Sequence, residues 1–220
     1  MAGVGRISCV RAAVAAALCI ACADKPRGAT EACIADSVGA LHLLSSVPHC
    51  RSDDWACRLK CKAGDERSCL ALGYAANSVP GDHDKARDFY EEACRLGAAN
   101  GCTNCAATVW AGKSTDAELT CARRTFERAC TAKEPFACGM VGRIMIESTT
   151  PPAYADGKRY LSAACDALGG FSCRVLARHL ESGRLGDHPP EQVPSLLKRA
   201  CATGDPDACG NHATAEETFQ

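Results

Sequence analysis

At 220 residues the chain has the length of one ordinary domain or one short repeat array. Its 25 basic and 26 acidic side chains are interspersed and leave a net charge of −1, so it lacks the basic footprint of a nucleic-acid or membrane-surface binder. The 18 cysteines stand out: at that density they point to a disulfide framework made outside the cytosol, rather than to reduced thiols serving as small apolar residues.

The chain order begins with an export pattern over 1–23. Arg6 and Arg11 make a positive start, no acidic residue precedes Asp24, and 12–21 is an unbroken apolar run of ten. Such a run is too short to span a bilayer, and Ala21-Cys22-Ala23 fits a small-residue cleavage site. Cleavage after Ala23 leaves a soluble chain. Cys19-Ile20-Ala21-Cys22 also resembles a bacterial lipobox with Cys22 as the lipidated residue, although Leu18 stands one place too early. A mitochondrial presequence is the third reading, with the intermembrane space as destination. The first two lead to the periplasm, the outer membrane or the outside of the cell.

Residues 24–51 read as a linker and a helix over 30–47, with Ile34, Val38 and Leu41 on one face, placed to cap the N-terminal end of a repeat array. Residues 52–212 are periodic. Cysteines eight apart recur at Cys61/Cys69, Cys94/Cys102, Cys130/Cys138, Cys165/Cys173 and Cys201/Cys209, and the first members are 33, 36, 35 and 36 residues apart. The residue before the first cysteine is Ala93, Ala129, Ala164 or Ala200 in four units and Lys60 in the first. Four before it stands Tyr90, Phe126, Leu161 or Leu197. Positions −4, −1 and 0 share one face of a first helix.

Between the cysteines the chain turns. Gly64, Gly97 and Gly204 stand where a helix ends in the left-handed conformation; Lys133 and Leu168 take that place in units three and four. Asp205-Pro206 and Glu134-Pro135 then read as N-caps of a second helix. In an antiparallel helix pair the two cysteines face each other across the turn, within bridging reach. Leu72-Gly73, Val141-Gly142, Leu176-Ala177 and Cys105-Ala106 put a small residue on each second helix, which allows close approach. The expected fold is all-α: an α/α superhelix of about four and a half to five bridged helix–turn–helix units, with 213–220 as a tail.

Two strings carry a family likeness: Lys85-Ala86-Arg87-Asp88-Phe89-Tyr90-Glu91-Glu92-Ala93-Cys94 and Gly64-Asp65-Glu66-Arg67-Ser68-Cys69-Leu70-Ala71-Leu72-Gly73-Tyr74. Residues 52–212 resemble Sel1-like repeats of the cysteine-rich, Hcp-like branch. The resemblance implies a right-handed superhelix related to tetratricopeptide arrays, a disulfide within each repeat, and an adaptor role toward proteins or peptides. The last unit carries His212 where the family has Leu and ends soon after, as a capping repeat does.

Five cysteines remain. Cys105 on one second helix and Cys121 at the start of the next first helix suit a bridge between repeats. Cys50 with Cys57 is the shortest closure among the others and leaves Cys33, but connectivity is not decided by spacing. Some proteins of this branch are described as β-lactamases, and Ser195-Leu196-Leu197-Lys198 matches S-x-x-K. Neither S-D-N nor K-T-G occurs, and the repeat register already explains Leu197. Cys102-x2-Cys105 has zinc-like and thioredoxin-like spacing, without a second ligand pair or a βαβ context. His42, His49, His83, His179, His188 and His212 show no ligand spacing; Trp55 and Trp110 read as packing residues.

No catalytic set, cofactor or metal site is therefore expected. The expected function is a monomeric adaptor whose concave face, lined by first helices, holds a peptide or protein segment; the competing reading, which the resemblance implies, is a β-lactamase or penicillin-binding hydrolase of the Hcp-like type. Arg87, Asp88, Arg123, Arg124, Lys158 and Arg159 are the candidate lining, and membrane contact would come only through a lipid at Cys22.

Overall fold

The computed structural model describes residues 33–210 except 113 and 168. The export leader with Cys22, the turn residue Leu168, His212 and the tail lie outside the described residues. Within them are eleven helices and no strand. A short α1 (Ile34–Ser37) precedes five helix pairs: α2 (Trp55–Lys62) with α3 (Glu66–Asn77), α4 (His83–Arg95) with α5 (Ala99–Ala111), α6 (Asp116–Thr131) with α7 (Pro135–Glu147), α8 (Tyr154–Asp166) with α9 (Gly170–Glu181), and α10 (Gln192–Ala202) with α11 (Pro206–Cys209). From α2 onward each helix packs on its neighbours in sequence, the contact order of a helical solenoid.

Local chemistry starts and stops these helices. Asp54 accepts from the N–H groups of Ala56 and Cys57 to cap α2, and Thr115 with Glu118 forms a capping box on α6. Every first helix ends in the same way. The N–H four residues after the first cysteine donates to the carbonyl of the residue before it: Asp65 to Lys60, Ala98 to Ala93, Glu134 to Ala129, Gly169 to Ala164 and Asp205 to Ala200, at 3.0–3.2 Å. This is the long hydrogen bond of a Schellman turn. In the four units where it is described, the residue in between adopts positive φ, as Gly64 at 92°, Gly97 at 104° and Gly204 at 90°. Lys133 does so at 62° with a Cβ that this region disfavours.

That turn sets the two cysteines of each unit face to face. Cys61 is bonded to Cys69, Cys94 to Cys102, Cys130 to Cys138, Cys165 to Cys173 and Cys201 to Cys209, with Cα–Cα separations of 4.4–4.8 Å. The five are alike in geometry but differ in burial. Cys69, Cys102 and Cys173 are sealed in the core, whereas Cys138 is only half-buried and Cys209 is exposed. Cys138 sits behind the turn that uses Lys133 in place of glycine, and its Sγ lies 3.4 Å from the Cys130 carbonyl oxygen. Closing a loop of this length stabilises the folded state by roughly 2.5 kcal/mol per bridge in the chain-entropy account.

The small residues of the second helices serve the contact with the next unit. A Cβ at Gly73 would lie 2.4 Å from the ring of Tyr90, and one at Gly142 would lie 2.9 Å from the Gly157 carbonyl oxygen and 3.0 Å from Leu161. Tyr90, Phe126 and Leu161, the −4 residues of units two to four, are the buried wedges of these joints. In the last unit Leu196 is buried and Leu197 only half-buried, so the register slips by one residue at the end of the array.

A second contact joins units through the residue after each second cysteine. Leu70 shares an apolar cluster with Ala98. Thr103 donates to the Glu134 carboxylate at 2.8 Å, and Arg174 pairs with Asp205 at 2.9 Å. Glu134 also accepts from the Ala137 N–H at 2.7 Å. Burial pushes the Glu134 carboxyl above its usual range, and the bonds from Ala137, Thr103 and Phe136 pull the other way without cancelling it.

Gly142→Ala is expected to lose about 1–3 kcal/mol in chemical denaturation, because the added methyl meets a backbone oxygen that cannot swing away. Glu134 is held protonated to higher pH in the folded than in the unfolded chain, so stability falls as pH rises from the ordinary value of 4.5. Glu134→Gln, whose amide oxygen can accept from both Ala137 and Thr103 as the one carboxylate oxygen does, is expected to remove that slope in denaturation series between about pH 4 and 8.

Candidate functional site

The N-terminal segment builds the most elaborate surface feature. Of the helix expected over 30–47, only Ile34–Ser37 is helical among the described residues. Val38 is extended, and the chain then runs as a strap, residues 33–44, against α4 and α6, the first helices of units two and three. The helical turn does not cap the first unit, which the strap meets only further on, where His42 Nε2 lies 3.5 Å from the Glu66 carboxylate of α3. The reason is competition for backbone carbonyls: the Arg128 guanidinium donates to the carbonyls of Ala35 (2.8 Å), Val38 (2.9 Å) and Gly39 (2.8 Å), which a longer helix would have used internally.

The strap is held along its whole length. Arg124 makes a two-pronged ion pair with Asp36. Ile34 and Val38 are buried in the cluster formed by Ala122, Phe126 and Ala129, with Leu41 packed at its edge. His42 pairs with the turn of unit two as a single parallel bridge: its N–H donates to Gly97 O at 3.0 Å, and its carbonyl accepts from Ala99 N–H at 2.9 Å. Ala98 has no side chain to cap α5, so the strap supplies the acceptor. A Cβ at Gly97 would meet His42 at 3.3 Å and Ala40 O at 3.4 Å. Leu44 N–H donates to Asn100 Oδ1 at 2.9 Å. Beside the strap lies an open cleft of about 350 Å³ lined by Ala35, Asp36, Arg124, Glu127, Arg128 and Thr131.

A disulfide between Cys33 and Cys121 fastens the start of the strap, with Cα–Cα 5.4 Å and a sequence separation of 88. This corrects the expected partnership of Cys105 with Cys121. Cys105 is buried in the cluster that joins units one and two, whereas Cys121 packs at the edge of the cluster that joins units two and three. The two lie on different joints, and Cys33 reaches Cys121 as the strap crosses α6. Cys50 is bonded to Cys57. With the five bridges inside the repeats, seven join described cysteines.

Most of the charged stripe inferred from the repeat register is engaged within the protein. Arg123 pairs with Glu127, Arg124 with Asp36 and Arg159 with Asp156. Lys158 reaches the Leu185 carbonyl in the connection after α9. Arg87 is half-buried and Asp88 exposed. Arg128, the residue that reads the strap's backbone, lies one turn beyond the candidate Arg124 on the same face of α6; the odd cysteine at 33 is the sequence signal that points to this segment.

The remaining candidates separate cleanly. Ser195 and Lys198 are both exposed on α10, where water solvates the hydroxyl and leaves it a poor nucleophile. Cys102 is bonded to Cys94, which withdraws it from any pairing with Cys105. Cys50, Asp54 and Cys57 bring ligand atoms within 4.8 Å of one another, yet both sulfurs are spent in a bond and Asp54 caps α2. His179 is buried 3.1 Å from Glu147 and sits below its usual pKa, first through burial and against the pull of that carboxylate. Trp110 packs edge-on against Phe126, whereas Trp55 is 72% exposed and not a packing residue.

The fold has solved counterparts. A Sel1 repeat protein from Oxalobacter formigenes aligns with a TM-score of 0.57 at 14% identity, over 67% of this chain and 60% of its own. The protective antigen c5321 of uropathogenic Escherichia coli strains, described as displaying an SLR fold, aligns with a TM-score of 0.58 at 14% identity, over 74% of this chain and 36% of its own. The chain thus spans less than two thirds of either structure's length. No family model matches the sequence, and no curated protein matches it. The architecture is a Sel1-like repeat solenoid stapled by disulfides. Its bridges are those of an oxidising environment, and no described helix is long and apolar enough to cross a membrane.

Removing the guanidinium in Arg128→Ala deprives three strap carbonyls of a charged donor, a loss of about 1.5–3 kcal/mol per such bond at most. Amide exchange at His42, Leu44 and Ala99 is expected to rise about tenfold or more, with the protection of α8 and α9 unchanged.

Proposed function

We propose that the protein is an exported, monomeric adaptor whose first-helix face, the concave face of the superhelix, holds an extended segment of another protein. The observation that carries this reading is the strap itself. Units two and three hold this segment by donating to its carbonyls, pairing its acid Asp36 and burying Ile34 and Val38. Donation to backbone carbonyls does not depend on side-chain identity, which is how repeat surfaces grip extended peptides. The leader pattern over 1–23 and the density of bridges support export, either as a soluble chain or anchored through Cys22. The array over 52–212 is the binding module in this reading, and 213–220 is a tail.

Photo-crosslinking in the native host tests it. Benzoylphenylalanine in place of Arg159, exposed on the first helix of unit four, is expected to give several times more protein adduct than the same group in place of Arg178 on the second helix of that unit. Equal adducts, or none at 159, would overturn the adaptor reading. The oxidised protein is also expected to hydrolyse nitrocefin no faster than buffer, with Ser195→Ala making no difference.

A further inference from the structure

Cys33–Cys121 differs in kind from the bridges inside the repeats. It spans 88 residues rather than eight and joins the strap to a unit far along the chain. It is half-buried at both ends, whereas Cys94–Cys102 and Cys165–Cys173 are sealed in the core. Cys130–Cys138 is half-buried too and Cys201–Cys209 is more exposed still, but opening either frees only the turn within its own unit. The other end of the strap is anchored as well. Residues 45–49 are exposed along their whole length, and Cys50 behind them is fixed by its own bridge to Cys57. The strap is therefore a short arm with a hinge at 45–49 and one covalent catch at its tip.

The catch is the arm's one covalent hold at this end: the hydrogen bonds from Arg128, the Arg124–Asp36 pair and the burial of Ile34 and Val38 are all contacts that another chain of the same chemistry could make in its place. What the arm covers is a surface with two cationic forks, Arg124 and Arg128, beside apolar recesses spaced for residues i and i+4.

Resting on the adaptor reading, we propose that Cys33–Cys121 is a redox latch: its opening swings the strap out and uncovers on α4 and α6 a site for a partner segment that docks as one helical turn of the pattern aliphatic-x-acid-x-aliphatic, the pattern of Ile34-Ala35-Asp36-Ser37-Val38, and continues as extended chain. The opening step is thiol–disulfide exchange with a dithiol. One thiolate attacks a sulfur of the bridge and forms a mixed disulfide; the second thiol resolves it. Cys33 and Cys121 each end with one hydrogen, and the dithiol leaves as a disulfide. The partner's acid then takes the place of Asp36 on Arg124, and its carbonyls replace those of Ala35, Val38 and Gly39 on Arg128.

Two measurements on the full chain test this. In graded dithiol reduction with alkylation and peptide mapping, Cys33 and Cys121 are expected to be labelled before the buried pairs Cys61/Cys69, Cys94/Cys102 and Cys165/Cys173; simultaneous or later labelling overturns the latch. The second uses Cys33→Ser, which leaves Cys121 as a reporter at the site. A synthetic peptide of residues 33–44, with its cysteine carried as a thiopyridyl disulfide, is expected to form a mixed disulfide with Cys121, followed by intact mass. Capture is expected to be about tenfold faster than for the same peptide bearing Asp36→Lys or in scrambled order, a preference of about 1.4 kcal/mol. Equal rates overturn the proposed partner pattern, and no capture of any peptide overturns strap release. The crosslinking position at Arg159 lies outside the strap's footprint, so adducts there with a failed latch would leave the adaptor reading standing alone.

Discussion

Each unit closes on one hydrogen bond, from the N–H four residues after the first cysteine to the carbonyl of the residue before it. The turn this bond defines reverses the chain and brings the second cysteine opposite the first. It also delivers the next helix with its N-cap already in place. The bridge results from that geometry, and so does the phase of the repeat: with the turn set, the −4 wedges Tyr90 and Leu161 enter the gaps left by Gly73 and Gly142 on the preceding second helices. Unit three shows the strength of the constraint. Lys133 keeps the left-handed conformation even though its side chain disfavours it, and Cys138 still meets Cys130.

Stacking of such units leaves a problem that the strap answers. Aromatic residues are scarce, so the joints are built from alanine, glycine and cysteine and bury little surface each. Unit two begins its second helix at Ala98 with no side-chain acceptor for the first N–H groups, and unit three presents the fork of Arg128. Residues 33–44 meet both at once, which is why this segment lies across units two and three and not at the open end. Trp55 and Leu59 are left exposed on the first unit as a consequence.

The contacts that complete the fold also show how this surface holds the chain's own N-terminal segment. One fork takes its carbonyls, a second takes its acid, and two aliphatic side chains are buried beside them. The Sel1-like architecture is thus combined with an occupant of its own. The bridges within repeats hold the scaffold; the bridge between Cys33 and Cys121 holds the occupant. These are separable roles for one kind of bond, distinguished by loop length and by what each releases on opening.

Much of the repeat was legible from residue order alone, because helix pairs with a local turn depend on neighbours within ten or so positions. The Cys-x7-Cys spacing, Gly64 and Gly204, Asp205-Pro206 and the wedge at −4 are all local signals, and they suffice to define a stapled all-α solenoid. The path of residues 33–44 was not legible. Ile34, Val38 and Leu41 have helical spacing, but the carbonyls between them are claimed by Arg128, some ninety residues away in sequence. Cys121 was likewise assigned by proximity in the repeat to Cys105, whereas the two sulfurs belong to different joints. Sequence by itself determined the unit and its repetition, since those rest on short-range hydrogen bonds and periodicity. Only the tertiary structure decided where the N-terminal segment lies and which face it occupies, because that choice rests on long-range competition for backbone acceptors.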